Sequence, residues 1–241
     1  MILQIESLHA CYGNVHVLNG VSFSVLPGEI VTILGRNGSG RSTTCKAIMG
    51  LLTPSSGSVR LGERELAGCP AHEIVRRGIG FVPEDRQIFR NLTVAENLEI
   101  GVKPPAAVTE RRSNYHSWSV EELYDVFPRL RERSKVKAGF LSGGEQQMLT
   151  LFRTLLGNPL AILIDEPTEG LAPKVVDALA VTIEEMKRRG LAVILLEQKL
   201  AMAMRLTDRV LVMGRGEIVF SGTVEAFNAD EDVRKRWLEV H

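Results

Sequence analysis

The chain is 241 residues long, with 29 Lys plus Arg against 29 Asp plus Glu, a formal net charge of zero. That balance gives no electrostatic footprint for nucleic acid, no apolar run approaches the roughly 20 residues of a membrane-spanning helix, and Met1–Glu6 lacks the basic start and apolar block of a secretory leader. With 44% hydrophobic residues, the expectation is one intracellular α/β unit carrying a subdomain.

In chain order, Leu3 to Leu8 and Val21 to Val25 alternate apolar and polar residues, as half-buried strands do. Cys11-Tyr12-Gly13 lies between them. A tyrosine beside a turn packs against its neighbours or stacks on a base, and spacing alone leaves the two uses even. Cys11, Cys45 and Cys69 show no metal spacing and read as reduced, structural thiols. The five histidines are scattered, and none is assigned to a metal.

Pro27-Gly28 turns the chain into Glu29–Leu34, an apolar, β-branched run that reads as a buried strand. There follow Gly35-Arg36-Asn37-Gly38-Ser39-Gly40-Arg41-Ser42-Thr43 and a helix closed by Gly50. Strand, glycine loop and helix together are the setting of a phosphate-binding loop. Gly35, Gly38 and Gly40 free the backbone to turn its N–H groups inward, and the helix start adds donors and a positive dipole end. Asn37 and Ser39 lie inside the loop. Ser42 offers a hydroxyl to Mg²⁺, and Thr43 reaches for a phosphate. Arg41 departs from the pattern, which asks for Lys. A plain glycine-rich turn is the alternative.

After Pro54–Gly57, Ser58–Leu61 and a Gly62-Glu63 bend predict an antiparallel hairpin. Ala71–Arg77 reads as a short helix closed by Gly78, and Ile79–Pro83 as a second buried strand. Glu84 lies just past that strand's C-terminal end, where ligands collect in open α/β sheets. It is a candidate for metal or water contact, or a solvated loop acid.

From Thr93 the character turns helical. Thr93/Glu96, Ser119/Glu122 and Ser142/Glu145 are capping boxes. Lys103 to Ser117 has no period and reads as a loop. Val120, Leu123, Phe127 and Leu130 form one stripe, which Pro128 ends or kinks. Ser142 is followed by Gly143-Gly144, which weaken a first helical turn. Open N–H groups there describe an anion site. The helix stops at Gly157.

Leu160–Ile164 is a third buried strand, tipped by Asp165-Glu166. Two carboxylates at the end of an apolar strand are costly unless liganded. Asp165 is assigned to Mg²⁺ and Glu166 to the attacking water. A loop from Thr168 to Pro173 leads into a long amphipathic helix ending at Gly190. Leu191–Leu196 is a fourth buried strand, tipped by Glu197-Gln198. Arg209–Met213 and Glu217–Phe220 flank the turn Gly214–Gly216, and a charged helix follows. No internal repeat is present.

The Gly35–Thr43 loop, Leu141–Gln146 and Ile164-Asp165-Glu166-Pro167, in this order, resemble the ATP-binding subunit of an ABC transporter over essentially the whole chain. Phe81–Glu84, Asn91–Leu98, Leu141–Leu149, Glu169–Pro173 and Leu196–Gln198 are similar to the branched-chain amino acid importer ATPases. The resemblance implies an α/β fold: a P-loop, RecA-like ABC ATPase core with an N-terminal antiparallel β subdomain (core and β subdomain about 1–88 and 158–241) and an inserted α-helical subdomain (about 89–157). It implies ATP and Mg²⁺ as ligands. Tyr12 then matches the ring that stacks on adenine. Ser42, Glu84 and Asp165 match the Mg²⁺ set, and Glu166 matches the general base. Ser142, Gly143 and Gly144 match the signature gripping the γ-phosphate of the opposite subunit's ATP, and the Glu169–Ala172 loop the crossing between subunits.

Gln198 stands where the superfamily has a switch histidine, as is common in this branch. Arg41 departs even from the branch. The implied partners are transmembrane permease subunits, a second ABC ATPase subunit in a homo- or heterodimer, and indirectly a solute-binding protein. The implied location is the cytoplasmic face of the inner membrane, reached only through partner subunits. Three other readings compete: a soluble ABC protein of DNA repair or translation, an importer ATPase for another small solute such as urea or an amide, and a cassette that binds ATP but hardly hydrolyses it because of Arg41. The first lacks its coiled-coil insertion or second cassette.

Overall fold

A computed structural model describes residues 2–103, 117–198 and 204–238. The loop predicted over 103–117 falls, apart from its two end residues, outside the described residues.

Two sheets organise the chain. The smaller is antiparallel, in the order β2-β1-β4-β5, with β1 (Leu3–Tyr12), β2 (Val15–Val25), β4 (Ser56–Leu61) and β5 (Arg64–Glu65). The first hairpin is longer than the alternation predicts, because Cys11 and Tyr12 are part of β1. The alternation breaks at Ser7, whose φ of 45° accompanies register shifts between Ile5 and Leu8. An irregularity of this kind adds a residue to one strand and hides its period.

The larger sheet runs β10-β9-β3-β8-β7-β6. It comprises β3 (Ile30–Leu34), β6 (Ile79–Val82), β7 (Ala161–Asp165), β8 (Ala192–Glu197), β9 (Arg209–Gly214) and β10 (Glu217–Thr223). All pairings are parallel except β9 with β10. The hairpin predicted from the Gly214–Gly216 turn thus carries one strand, β9, into the sheet beside β3. Arg215 and Gly216 both have positive φ, 53° and 82°, which suits the twist of a tight hairpin.

Parallel strands are buried on both faces, and the alternation inside each strand sorts them. Val31, Ile33, Leu163, Ile194 and Leu196 share one core with the small sheet and with α1 (Arg41–Ile48) and α2 (Ala71–Arg77). Ile30, Ile162, Ile164, Val193 and Leu195 share the other with α3 (Val94–Gly101), α4 (Val120–Val126), α6 (Gly143–Leu156) and α7 (Pro173–Arg188). The helix stripe breaks at Pro128 as expected: α4 ends at Val126, and Pro128 opens α5 (Pro128–Glu132). All three capping boxes form, each with the hydroxyl accepting from the N3 amide and the N3 Glu accepting from the cap amide. At the end of the chain, α8 (Val224–Ala229) and α9 (Glu231–Trp237) cover β9. No helix among the described residues is long and apolar enough to cross a membrane.

Candidate functional site

Register brings the site together. Leu34 pairs with Glu197, Asp165 with Leu196, and Val82 with Ile164. The C-terminal ends of β3, β8, β7 and β6 therefore form one rim, and the residues just beyond them face each other across it. This rim borders a cavity of about 350 Å³, walled by the loop from Arg36 to Thr43 together with Glu84, Glu166, Glu169 and Gln198.

The loop is shaped by its glycines. Gly40, the N-cap of α1, has φ 110°, and a Cβ there would stand 3.0 Å from Leu18 Cδ2. At Gly35 a Cβ would stand 2.5 Å from Ser39 Oγ and 2.7 Å from the Met213 carbonyl. Neither position takes a side chain without moving the loop. The β9–β10 turn holds the loop from behind, where the Gly216 N–H donates to Ser39 O at 2.9 Å.

Arg41, the first residue of α1, is 5% exposed. Its Nη2 donates to Glu166 Oε1 at 2.7 Å. Gln198 Nε2 donates to the same oxygen at 2.7 Å and to Asn37 Oδ1 at 2.7 Å. Glu166 itself sits at φ 45°, unusual for a residue with a Cβ, and its N–H donates to Leu196 O at 2.9 Å. A strained backbone at a strand tip is where functional carboxylates are often found.

Asp165 is buried, and its Oδ1 has no hydrogen-bond partner. Burial pushes its carboxyl up, a hydrogen bond from the Ser42 side chain draws it back, and the charges of Glu166 and Glu84 push it up while that of Arg41 lowers it. Glu84, Glu166 and Glu169 each offer an oxygen, and these oxygens lie within 4.8 Å of one another. A hydroxyl, a buried carboxylate with an unused oxygen and a crowd of carboxylates form an all-oxygen donor set, which fits a hard divalent cation such as Mg²⁺. Cys45 lies fully buried below, its thiol pushed well up by burial and by the Asp165 charge, against a lowering by Arg41. That suits an inert, packed thiol.

Most of the sequence-assigned residues meet here. Asn37, Gly38, Gly40, Arg41, Ser42, Thr43, Glu84, Glu166 and Gln198 line the cavity, with Gly35 and Ser39 supporting the loop and Asp165 beside Ser42. Glu169, placed by the resemblance in the loop crossing between subunits, also lines the cavity. Tyr12 is not in the cavity wall. It sits 47% exposed at the end of β1.

Ser142, Gly143 and Gly144 also stand apart, at the N-terminus of α6. Gly144 has a packing reason that the sequence does not display, whereas the neighbour of Gly143 is only the flexible end of an arginine. A Cβ at Gly143 would lie 2.7 Å from Arg86 Nη1, and one at Gly144 would lie 2.9 Å from Val175 Cγ2.

A glycine loop and helix start at the end of a central parallel strand, facing an Asp-Glu pair, define the class: a phosphate-loop nucleotide hydrolase. A family model described as ABC transporter matches residues 18–169. The branched-chain amino acid transport ATP-binding protein BraG of Pseudomonas aeruginosa is 38% identical over 237 residues, 98% of this chain and 99% of that protein. The lipopolysaccharide export ATP-binding protein LptB of Haemophilus influenzae is 32% identical over 98% of this chain and 97% of its own. Among solved structures, an ABC transporter ATP-binding cassette in its ADP conformation superposes with a TM-score of 0.79 at 28% identity, covering 97% of both chains. The chain belongs to the ABC transporter family, as an ATP-binding, ATP-hydrolysing subunit with the α/β fold of these cassettes.

Proposed function

We propose that this chain powers an importer for branched-chain or related amino acids, working as one of two cassettes that close on ATP. The observation that carries the ATPase chemistry is the shared cavity of the phosphate loop, Glu166 and Gln198. The solute assignment rests on the near full-length likeness to BraG.

In this reading the loop amides and Thr43 cradle the phosphates, and Tyr12 stacks on the adenine. Ser42, Asp165 and Glu84 would hold Mg²⁺, which would supply positive charge to offset that of the phosphates. Glu166 takes the proton of the attacking water, and Gln198 orients that carboxylate. Ser142, Gly143 and Gly144 complete the site of the opposite cassette, so hydrolysis needs two chains face to face. Closing and reopening are biased by the nucleotide held in each state.

The partner surface is a second cavity of about 400 Å³ beside α3 and α6, lined in part by Leu51, Val75, Phe89 and Ile100. All four are at least 36% exposed. The Arg153 guanidinium lies 4.9 Å over the Phe89 ring. An apolar groove with a cationic rim suits a short cytosolic helix of a permease subunit. Membrane contact then comes through that subunit, on the cytoplasmic face of the inner membrane, with a solute-binding protein engaged only indirectly.

The test is deletion of the gene in its own cell, followed by ATP-dependent uptake of labelled leucine, isoleucine and valine. Loss of uptake, restored by the wild-type chain and not by Glu166→Gln, is the expected result. The likeness to LptB supports a second reading, in lipopolysaccharide export. Intact uptake together with a defect in surface lipopolysaccharide would favour it.

A further inference from the structure

The residue that breaks the loop pattern makes the ion pair to the proposed base. Arg41 Nη2 holds Glu166 Oε1 at 2.7 Å, and the two side chains are 5% and 11% exposed. Arg41 Nη1 is buried and has no hydrogen-bond partner. The guanidinium is thus only half used, and an unsatisfied buried donor is unfavourable. A phosphate offers what Glu166 Oε1 alone does not, namely two acceptors in the planar fork that guanidinium prefers. Both rivals sit on one cavity, because Arg41 and Glu166 line it with the loop. Gln198, which donates to the same Glu166 oxygen, keeps a partner on that carboxylate when the arginine leaves.

We propose that Arg41 is a reversible latch on Glu166: the carboxylate and the nucleotide phosphate compete for one guanidinium, so phosphate binding is what frees the base. A lysine at this position ends in an ammonium one bond short of where Arg41 Nη2 meets Glu166, so it serves a phosphate without first having to release the carboxylate. The latch is therefore a property of the arginine. This inference rests on the proposed roles of Glu166 and the loop. It adds that the two are antagonists until nucleotide arrives, with base exposure and nucleotide affinity as two readings of one coupling.

The test measures equilibrium binding of a fluorescent ADP analogue in EDTA, so that neither hydrolysis nor a divalent ion enters. Four full-length proteins are compared: wild type, Glu166→Gln, Arg41→Lys and the double variant. Removing the Glu166 charge relieves repulsion of the phosphates in both backgrounds, so only the difference between backgrounds reports the latch. The expected result is about tenfold tighter ADP for Glu166→Gln on the arginine background, and a gain at least about fivefold smaller on the Arg41→Lys background. Equal gains in the two backgrounds would overturn the proposal.

Glu166→Asp gives an independent check should Arg41→Lys fold poorly. It keeps the charge but withdraws the oxygen from Nη2, and should tighten ADP several-fold. Unchanged or weaker affinity would count against the latch. If the wild type binds no ADP at all, the reading of the loop itself falls, and the latch with it.

Discussion

Gln198 Nε2 donates both to Glu166 Oε1 and to Asn37 Oδ1, each at 2.7 Å. One side-chain amide therefore ties the proposed base, beyond β7, to the phosphate loop, beyond β3. Gln198→Leu removes both bonds at similar volume. Steady-state hydrolysis should fall about tenfold, the equivalent of about 1.4 kcal/mol. ADP affinity should stay within about twofold, because a positioning contact acts mainly in the transition state. An equal fall in nucleotide affinity would reassign Gln198 from positioning to binding.

Glu166→Gln should lower hydrolysis by about a hundredfold or more, the usual range for loss of a general base. The phosphate contacts remain, so ATP should accumulate in a closed dimer. Size-exclusion chromatography with ATP checks this, together with a steeper than linear dependence of wild-type activity on protein concentration. A variant that binds ATP yet elutes as a monomer at high ATP would contradict the role given to Glu166.

Glu65 links β4 and β5. Its Oε1 accepts from the N–H groups of Val59, Leu66 and Ala67 at 2.9, 3.1 and 2.9 Å, and its Oε2 from Ser58 and Arg60. Burial pushes the carboxyl up, but these bonds outweigh it and hold it at about 2, against an ordinary 4.5. A lowered carboxyl stabilises the fold above its unfolded value and loses that contribution as pH falls. Stability from Glu65 should thus be complete above about pH 4.5 and disappear between pH 4.5 and 2. Glu65→Ala strands the amides of Val59 and Ala67, while that of Leu66 keeps the Val59 carbonyl at 2.7 Å, and at pH 7 should cost about 1–3 kcal/mol. Thermal unfolding of both proteins from pH 7 to 3 should show the gap narrowing only below pH 4.5. A gap independent of pH would mean that the charge is not what stabilises the turn.

What the sequence made legible was local. Each capping box needs only a hydroxyl and a Glu three positions later, and all three form. The buried strands announce themselves by unbroken apolar runs, and the carboxylates at their tips follow. Pairing was not legible, because β3 meets β8 and β9 across more than 150 residues of chain, and no local pattern records that choice. The same distance hides the Arg41–Glu166 contact, whose partners are 125 positions apart. Arg41 could be flagged as out of pattern, but its partner could not be named. Glu169 is legible only as the start of the crossing loop, and its place in the cavity wall is set by tertiary approach. The packing of Gly144 against Val175 is likewise set by tertiary approach and leaves no local trace.

Asn97, fully buried on α3, fixes one wall of the proposed partner surface. Its Nδ2 donates to the carbonyls of Phe89 and Thr93 at 3.0 and 2.9 Å. Its Oδ1 accepts from the Phe89 N–H at 3.0 Å and from Arg153 Nη1 at 3.3 Å. The segment carrying Phe89 is thereby clipped to α3 by both its backbone groups. Phe89 itself is 48% exposed on the proposed permease groove, with Arg153 over its ring. Asn97→Ala frees these groups in a place water does not easily reach, at a cost of about 2 kcal/mol. For a chain of this size that corresponds to a fall of about 4–8 °C in Tm. Asn97 touches neither the loop nor the carboxylates, so ADP affinity should be unchanged. The loosened Phe89 should instead weaken docking, reducing co-sedimentation with membranes that carry the cognate permeases. Phe89→Ala separates the two effects, since it removes the ring but keeps the clip: it should lose docking with little change in Tm. If both variants sediment with membranes as the wild type does, the groove beside α3 is not where the permease binds.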